Sequence, residues 1–147
     1  MSELYDQDTV LWSERQAKLL RRVAAGERVN DGDLDWLNLA EEIEAVGRSE
    51  RRELRHRMAI LLQHLLKWHY QPEHRSRSWR STIGTQRSEI LEVLDDNPSL
   101  RQTMPIIVAK AYPTARAKAL EETGLLALPE TSPFDADQAL DGELPMP

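Results

Sequence analysis

Apolar residues recur at intervals of three and four positions along most of the chain, and no alternation of apolar and polar residues is sustained. This spacing places apolar side chains on one face of a helix. The clearest such face consists of Leu54, Met58, Leu61, Leu65 and Trp68. We therefore predict a long helix over about residues 49–70, which Pro72 prevents from continuing.

Residues that typically begin and end helices divide the first part of the chain. Asp8 can cap a helix over residues 9–25, and Gly26 then ends it. Asp31 or Asp33 can cap a second helix that reaches about residue 46. Gly47 is expected either to kink this helix or to end it before a new start at residue 49.

The second part of the chain carries further start and stop signals. Ser76 or Ser78 can cap a helix that runs to about residue 95. In the following DNPS motif, Asn97 is expected to cap a new helix, and proline occupies its first position. Two more prolines, at 105 and 113, predict a kinked helix or two short ones that end before Gly124.

Together these elements predict an all-α protein, an antiparallel bundle of four to five main helices with a proline-kinked C-terminal helix. We expect a single domain over residues 1–128, because compact domains commonly have about 100–150 residues. Residues 129–147 are acidic and rich in proline. We expect them to form an extended tail, docked or disordered, with at most a short helix over residues 135–140.

The charge of the chain is unevenly distributed. Residues 1–46 carry 11 acids and 5 Lys or Arg, residues 47–88 carry 3 and 10, and residues 89–147 carry 11 and 4. This pattern indicates a basic middle that packs against acidic flanks. A basic face for nucleic acid is the less favoured interpretation, because the flanks would compete for it.

Several classes of protein are disfavoured by composition. The chain has no cysteine, which excludes disulfides, thiolate metal sites and a cysteine nucleophile. Its N-terminus lacks the pattern of a signal peptide, and its longest apolar runs are too short for a membrane span. We therefore predict a cytoplasmic protein without a membrane partner.

Three charged residues fall on the apolar side of their predicted helices. At about 100° per residue, Glu41 and Glu44 lie within the apolar arc of the second helix, and Arg87 within that of the fourth. An unpaired buried charge costs several kcal/mol, roughly, so these groups are expected to pair. We predict a buried Glu41–Glu44–Arg87 cluster that His64 or Lys67 can join.

The aromatic residues have a plainer interpretation. Tryptophans occupy positions 12, 36, 68 and 79, and each falls on a predicted inward face. We expect them to belong to the core and not to stack on nucleic-acid bases.

Three kinds of catalytic or metal site have partial matches in the sequence. Glu53 and His56 form a Glu-x-x-His pair, but a di-iron bundle needs this pair twice. Arg51 precedes His56, and Arg57 precedes His64, at the spacing seen in some helical ribonucleases. Arginine is so frequent in this region that chance explains both matches. A metal site on Glu41, Glu44 and His64 is the remaining alternative. No metal or cofactor is predicted.

Six motifs, in this order, resemble one bacterial family: YDQDTVLW, LAEEIEAVG, HLLKW, SRSW, DNPSL and AYPTARAKALEETG. The family is domain of unknown function 29, and the resemblance runs from about residue 5 to the final prolines. It implies a small all-helical protein and implies no activity, cofactor or substrate. The motif positions that it matches are Glu41, Glu42, Glu44, His64, Lys67, Trp68, Ser78 and Trp79.

The leading functional hypothesis is a non-enzymatic binding or assembly module whose partner is an unknown protein or a second copy of the chain. The alternative is a metal-dependent or hydrolytic enzyme, with nucleic acid among its candidate substrates. That enzyme would use Glu41, Glu44 and His64.

Overall fold

A computed structural model describes residues 2–144 of the chain. Within this range there are six α-helices and three short 3-10 turns, and there is no strand. The helices are α1 (Ser2–Gln7), α2 (Thr9–Ala24), α3 (Trp36–Tyr70), α4 (Arg77–Asp96), α5 (Met104–Thr123) and α6 (Ala136–Asp141). The predicted all-α fold class is thereby confirmed.

The chain divides into two compact units, Met1–Ser49 and Glu50–Pro147. Unit one contains α1, α2 and the first part of α3. Unit two contains the rest of α3 together with α4, α5 and α6. The expectation that residues 1–128 form one domain stays a prediction.

Helix α3 is continuous over 35 residues and passes through Gly47 without interruption. The predicted break at Gly47 is therefore wrong, while the predicted kink stays a prediction. A glycine inside a helix costs only about 1 kcal/mol relative to alanine, and the turns on either side supply enough helical bonds to tolerate it.

Two of the predicted helix starts are confirmed by hydrogen bonds, whereas the predicted cap at Asn97 is wrong because its side chain forms no capping bond. Asp8 accepts from the backbone N–H of Leu11, and Gly26 follows α2 with a φ of +84°. Ser76, one of the two candidate caps, accepts from the backbone N–H of Trp79 at the start of α4. The start of α3 was placed too early, because residues 31–33 form a 3-10 turn and the helix begins only at residue 36.

The proline-containing segment after α4 forms one 3-10 turn and one helix, so the predicted pair of short helices is wrong and the predicted single helix with an internal proline is confirmed. Pro98 opens a 3-10 turn that reaches Thr103, and α5 then continues as one helix to residue 123. Pro105 lies in the first turn of α5, where its missing N–H costs nothing. Pro113 lies inside α5 and removes one helical hydrogen bond. Gly124 ends the helix in the left-handed conformation, as its position predicts.

Unit two holds the hydrophobic core. The predicted inward face of α3 is confirmed here, since Leu54, Met58 and Leu61 are fully buried. Further side chains come from α4, α5 and the segment after α5, including Ile83, Ile90, Leu94, Ile107, Val108, Ala115, Leu128 and Ala139.

The segment after α5 is held on unit two by bonds to its main-chain carbonyls. Tyr112 Oη donates to the Pro129 carbonyl at 2.5 Å, and the Arg116 guanidinium donates to the carbonyls of Leu128 and Pro129 at 3.1–3.2 Å. Asp135 forms a capping box with Gln138 at the start of α6. The described part of the predicted tail is therefore docked and contains the short helix that we expected.

Unit one is built differently. Its buried hydrophobic side chains are Trp12 and Leu34, which are packed with the polar Gln16 and Asp35. Trp12 Nε1 donates to Asp35 Oδ2 at 3.0 Å, and Gln16 Oε1 accepts from the backbone N–H of Asp35 at 2.9 Å. Asp35 is only 8% exposed.

The apolar arc predicted to face inward from the first part of α3 is exposed. Trp36 is 49% exposed, Ile43 71% and Leu37 87%. The inward placement of Trp36 was therefore wrong. The half-buried face of this segment instead carries Asn38, Leu39 and Glu42, and Glu42 accepts a hydrogen bond from Tyr5 Oη.

Candidate functional site

A polar cluster lies where α3, α4 and α5 of unit two come together. It consists of Gln63, His64 and Lys67 from α3, Trp79 from α4 and Glu122 from α5, and we call it the Lys67 cluster. On α3, Gln63 and His64 lie four and three positions before Lys67, so both are about one helical turn from it and neighbour it on the helix surface. Gln63 and Lys67 are both buried.

Lys67 is held by two different partners. Its Nζ donates to Glu122 Oε2 at 2.7 Å and lies 4.7 Å from the centre of the Trp79 ring. The carboxylate neutralises the ammonium, and the negative face of the indole attracts the same charge. The Lys67 side chain is 10% exposed and that of Glu122 is 47% exposed. The pair therefore joins α3 to α5 at the edge of the core.

The surroundings shift the pKa values of two members in ways that agree with this geometry. The pKa of Glu122 is lowered, first by the hydrogen bond from Lys67 and also by one from Gln63, while burial opposes the shift. The pKa of His64 is lowered mainly by burial, and the Lys67 charge adds to the effect. His64 Nδ1 lies 2.8 Å from the Ile60 carbonyl. Because a carbonyl only accepts, Nδ1 carries the proton in this contact.

The chemistry open to the Lys67 cluster follows from these contacts. The ammonium is already bonded to a carboxylate and covered by a ring, so it is not available as a nucleophile. Burial favours neutral His64, whose Nδ1 is engaged with its own helix. The cluster is suited to fixing three helices against one another and to responding to acid.

The predicted Glu41–Glu44–Arg87 cluster is wrong in its partners. Glu41 and Glu44 belong to unit one, are exposed, and pair with Arg48 at 2.7 and 3.7 Å. Arg87 belongs to unit two, and its guanidinium donates hydrogen bonds to backbone carbonyls. The two carboxylates need no buried cation, because the face of α3 that carries them is exposed.

Arg87 acts as a side-chain cap for α6. Its guanidinium donates to the carbonyls of Ala139 and Gly142, both at 2.9 Å, and to that of Gln138 at 3.4 Å. The Ala139 carbonyl belongs to the last turn of α6, where carbonyls lack helical donors, and Gly142 directly follows the helix. The Gln138 carbonyl also accepts from the backbone N–H of Gly142. Burial lowers the pKa of Arg87, and Asp141 opposes the shift. The inward direction predicted for Arg87 on α4 is consistent with its half-buried position.

The enzyme alternative needed Glu41, Glu44 and His64 as one set. The structure gives these residues separate partners, with Arg48 bonded to both carboxylates and the Ile60 carbonyl bonded to His64. Across residues 2–144, no three His, Asp or Glu side chains are arranged to hold a metal ion.

The remaining predicted positions have diverse surroundings. Glu42 accepts a hydrogen bond from Tyr5, which raises the pKa of the tyrosine. Trp68 is buried, and its ring lies 5.2 Å from the Arg75 guanidinium. Trp79 belongs to the Lys67 cluster, and Ser78 is exposed on the first turn of α4.

Two members of the cluster were missed from the sequence. Gln63 is a neutral residue at the edge of the apolar face, and no pattern distinguishes it from a solvated glutamine. Glu122 lies 55 positions from Lys67, in an ordinary acidic run at the end of α5. The one available signal was the position of Lys67 itself, beside apolar residues where a cation requires a partner.

Comparison with known proteins identifies a family and adds no activity. Neither a search of curated proteins nor a search of solved structures found a match. As for membranes, none of the helices within residues 2–144 combines the length and the apolar character needed to cross a bilayer. A family model described as domain of unknown function DUF29 matches residues 4–144. Since this match covers nearly the whole sequence, the chain belongs to the DUF29 family.

Proposed function

We propose that the protein is a non-enzymatic assembly module that forms a homodimer through the exposed apolar face at the start of α3. We call this face the apolar strip and define it by Trp36, Leu37, Ala40, Ile43 and Val46. The observation that carries the proposal is the exposure of its large side chains, from 49% for Trp36 to 87% for Leu37.

Covering the apolar strip with a partner is favourable because it removes apolar side chains from water. Burying a side chain of this size contributes about 1.5–3 kcal/mol relative to leaving it in water. Contiguous apolar patches on a protein surface commonly mark interaction sites. Ile43 and Val46, which are 71% and 66% exposed, lie one turn apart and can be covered by the same partner helix.

A second copy of the chain fits this surface because the charges beside the strip are self-complementary. Along α3, Glu41 comes before Arg48, and both lie beside Leu37 on the same flank of the strip. Two such helices packed antiparallel bring equivalent flanks together. Glu41 of one copy then lies near Arg48 of the other, and symmetry repeats the pair.

The exposure of these side chains supports such an exchange. Arg48 is 49% exposed and Glu41 56%, so their present pair is a solvated one. Exposed pairs of this kind contribute about 0–1 kcal/mol. Exchanging the ion pair within one chain for an ion pair between two chains therefore costs little free energy.

The test is to measure mass in solution by analytical ultracentrifugation over a wide range of protein concentration. We expect a dimer for the natural chain and a monomer for Ile43→Glu, because the new carboxylates would face each other across the apolar strip. Leu126→Glu is the matched control, since Leu126 is fully exposed and lies in unit two. It should leave the dimer intact.

The charge pairing has its own test. Glu41→Arg should weaken the dimer, and adding Arg48→Glu should restore it, because the exchange reverses both members of the pair. Circular dichroism must show the same helix content in every variant. A natural chain that stays monomeric at all concentrations, or an Ile43→Glu variant that still dimerises, would overturn the proposal.

A further inference from the structure

A cleft of about 450 Å³ runs between α3 and α5 in unit two. Seven residues line it: Arg52, Arg55, His56, Ala59, Lys110, Ala111 and Thr114. We call it the cationic cleft. It is separate from the Lys67 cluster and from the apolar strip, and its residues were not among the predicted site positions.

The shape of the cleft follows from helical spacing and from side-chain size. On α3, positions 52, 55, 56 and 59 lie on adjoining turns of one side of the helix, and positions 110, 111 and 114 do the same on α5. Ala59 and Ala111 are buried and form the floor. Because both are small, the longer charged side chains stand on either side of an open groove.

The charges of the cleft have no acidic partners. None of its seven lining residues is acidic, whereas arginines 48, 57 and 101 each pair with a carboxylate. Within residues 2–144, the side chains of Arg52, Arg55 and Lys110 form no ion pair. Three permanent positive charges therefore face the same space, and an anion bound there would relieve their mutual repulsion.

We propose that the cationic cleft binds the diphosphate or triphosphate group of a small molecule. Two guanidinium groups offer the planar fork that suits phosphate oxygens, and a lysine supplies a compact charge beside them. The Thr114 hydroxyl adds a neutral donor. Three cations match a diphosphate or triphosphate better than a single phosphate.

The size of the cleft favours a small ligand over a nucleic acid. Small-molecule sites commonly have volumes of about 300–1,000 Å³, and this one lies within that range. A nucleic acid contacts a longer track of phosphates than one such cleft supplies. The proposal does not depend on dimerisation, because all seven lining residues belong to unit two.

Isothermal titration calorimetry with inorganic pyrophosphate, ATP, inorganic phosphate and adenosine tests the proposal. We expect pyrophosphate and ATP to bind, phosphate to bind at least about tenfold more weakly, and adenosine not to bind, since each charge-assisted hydrogen bond contributes about 1.5–3 kcal/mol. Equal affinities for pyrophosphate and ATP would support recognition of the phosphate chain alone. Tighter binding of ATP would support a nucleotide as the source.

Substitutions then locate the site. Arg52→Gln combined with Arg55→Gln, and separately Lys110→Gln, should each lower the affinity for pyrophosphate at least about tenfold. The matched control is Lys118→Gln, an exposed lysine two turns further along α5 that does not line the cleft. It should change the affinity less than about twofold, since exposed charges at a distance are screened by salt.

Three results would overturn the proposal. The first is no heat of binding for pyrophosphate or ATP at low ionic strength. The second is binding that the cleft substitutions leave unchanged. The third is a short DNA duplex that binds with a steep salt dependence while pyrophosphate does not bind. Because the substituted side chains are exposed, a variant that fails to fold is not expected, and thermal melts would show it.

Discussion

Units one and two contain parts of the same helix, α3, but its apolar side chains are buried in unit two and exposed in unit one. In unit two, Leu54, Met58 and Leu61 of α3 are fully buried. In unit one, Trp36 and Ile43 of α3 are exposed, although they continue the same three- and four-residue spacing. Helical periodicity decides which side chains share a face. Whether that face is covered depends on which other helices the unit contains.

The difference extends to what each unit buries. Unit two has α4, α5 and α6 available and builds an extended hydrophobic core with a charged pair, Lys67 and Glu122, at its edge. Unit one has only α1, α2 and a 3-10 turn, and it buries Gln16 and Asp35 beside Trp12. Stability from hydrophobic burial is therefore concentrated in unit two, while unit one offers an apolar surface.

The largest effect is expected from paired truncations on α3. Leu61→Ala should lower the free energy of unfolding by about 2–5 kcal/mol, because it leaves a cavity in the core of unit two. Ile43→Ala should change it by less than about 0.5 kcal/mol, because the side chain is exposed. Urea unfolding at low protein concentration, followed by circular dichroism, measures both values. Equal losses would show that unit one buries its apolar strip.

A smaller effect is expected for the cap of α6. Arg87→Met should lower the free energy of unfolding by about 2–3 kcal/mol, because carbonyls at the end of α6 lose a charged donor. Hydrogen exchange should become faster in α6 first and leave unit one unchanged. Arg77→Met is the control, since Arg77 is exposed on the same helix. Unaltered exchange in α6 would contradict the role of Arg87.

The smallest effect concerns pH. The pKa values of His64 and His69 are both lowered, chiefly by burial. As pH falls below about 6.5, the unfolded chain binds protons that these folded histidines resist, so the free energy of unfolding decreases. His64→Gln combined with His69→Gln should flatten the loss between pH 7 and pH 5 in thermal melts.

Unit one should not share this response. The pKa of Asp35 is also lowered, first by its hydrogen bond from Asn38, but this group acts in a different range. Its stabilising effect is present above the ordinary aspartate pKa of 3.8 and is lost only as pH falls through the lower folded value. A loss of unit one structure near pH 6 would contradict the assignment of the sensitivity to the histidines.

The sequence predicted the local features of the fold well. Asp8, Ser76 and Gly124 act as expected because caps depend on neighbouring residues alone. The break at Gly47 was wrong because one unfavourable residue is outweighed by a helix on both sides. Local rules therefore identified the starts of α2 and α4 and the end of α5, and misjudged both the start and the continuity of α3.

The candidate site was predicted only in part, for physical reasons that particular residues make clear. Lys67 was recognised because a cation beside apolar residues requires a partner, but a distant carboxylate such as Glu122 has no local signature. Arg87 was correctly predicted to lie on the inward-facing side of α4, but its partners are backbone carbonyls. Every residue has a carbonyl, so no sequence pattern could nominate those of Ala139 and Gly142.

The hydrogen bonds that hold the C-terminal segment have a consequence for how its amino-acid sequence can vary. Tyr112, Arg116 and Arg87 reach main-chain oxygens of residues 128–142, and these oxygens do not change when a side chain is replaced. Residues that face outward in this segment can therefore be exchanged freely while its attachment persists. The three anchoring side chains and the few inward apolar residues have no such freedom.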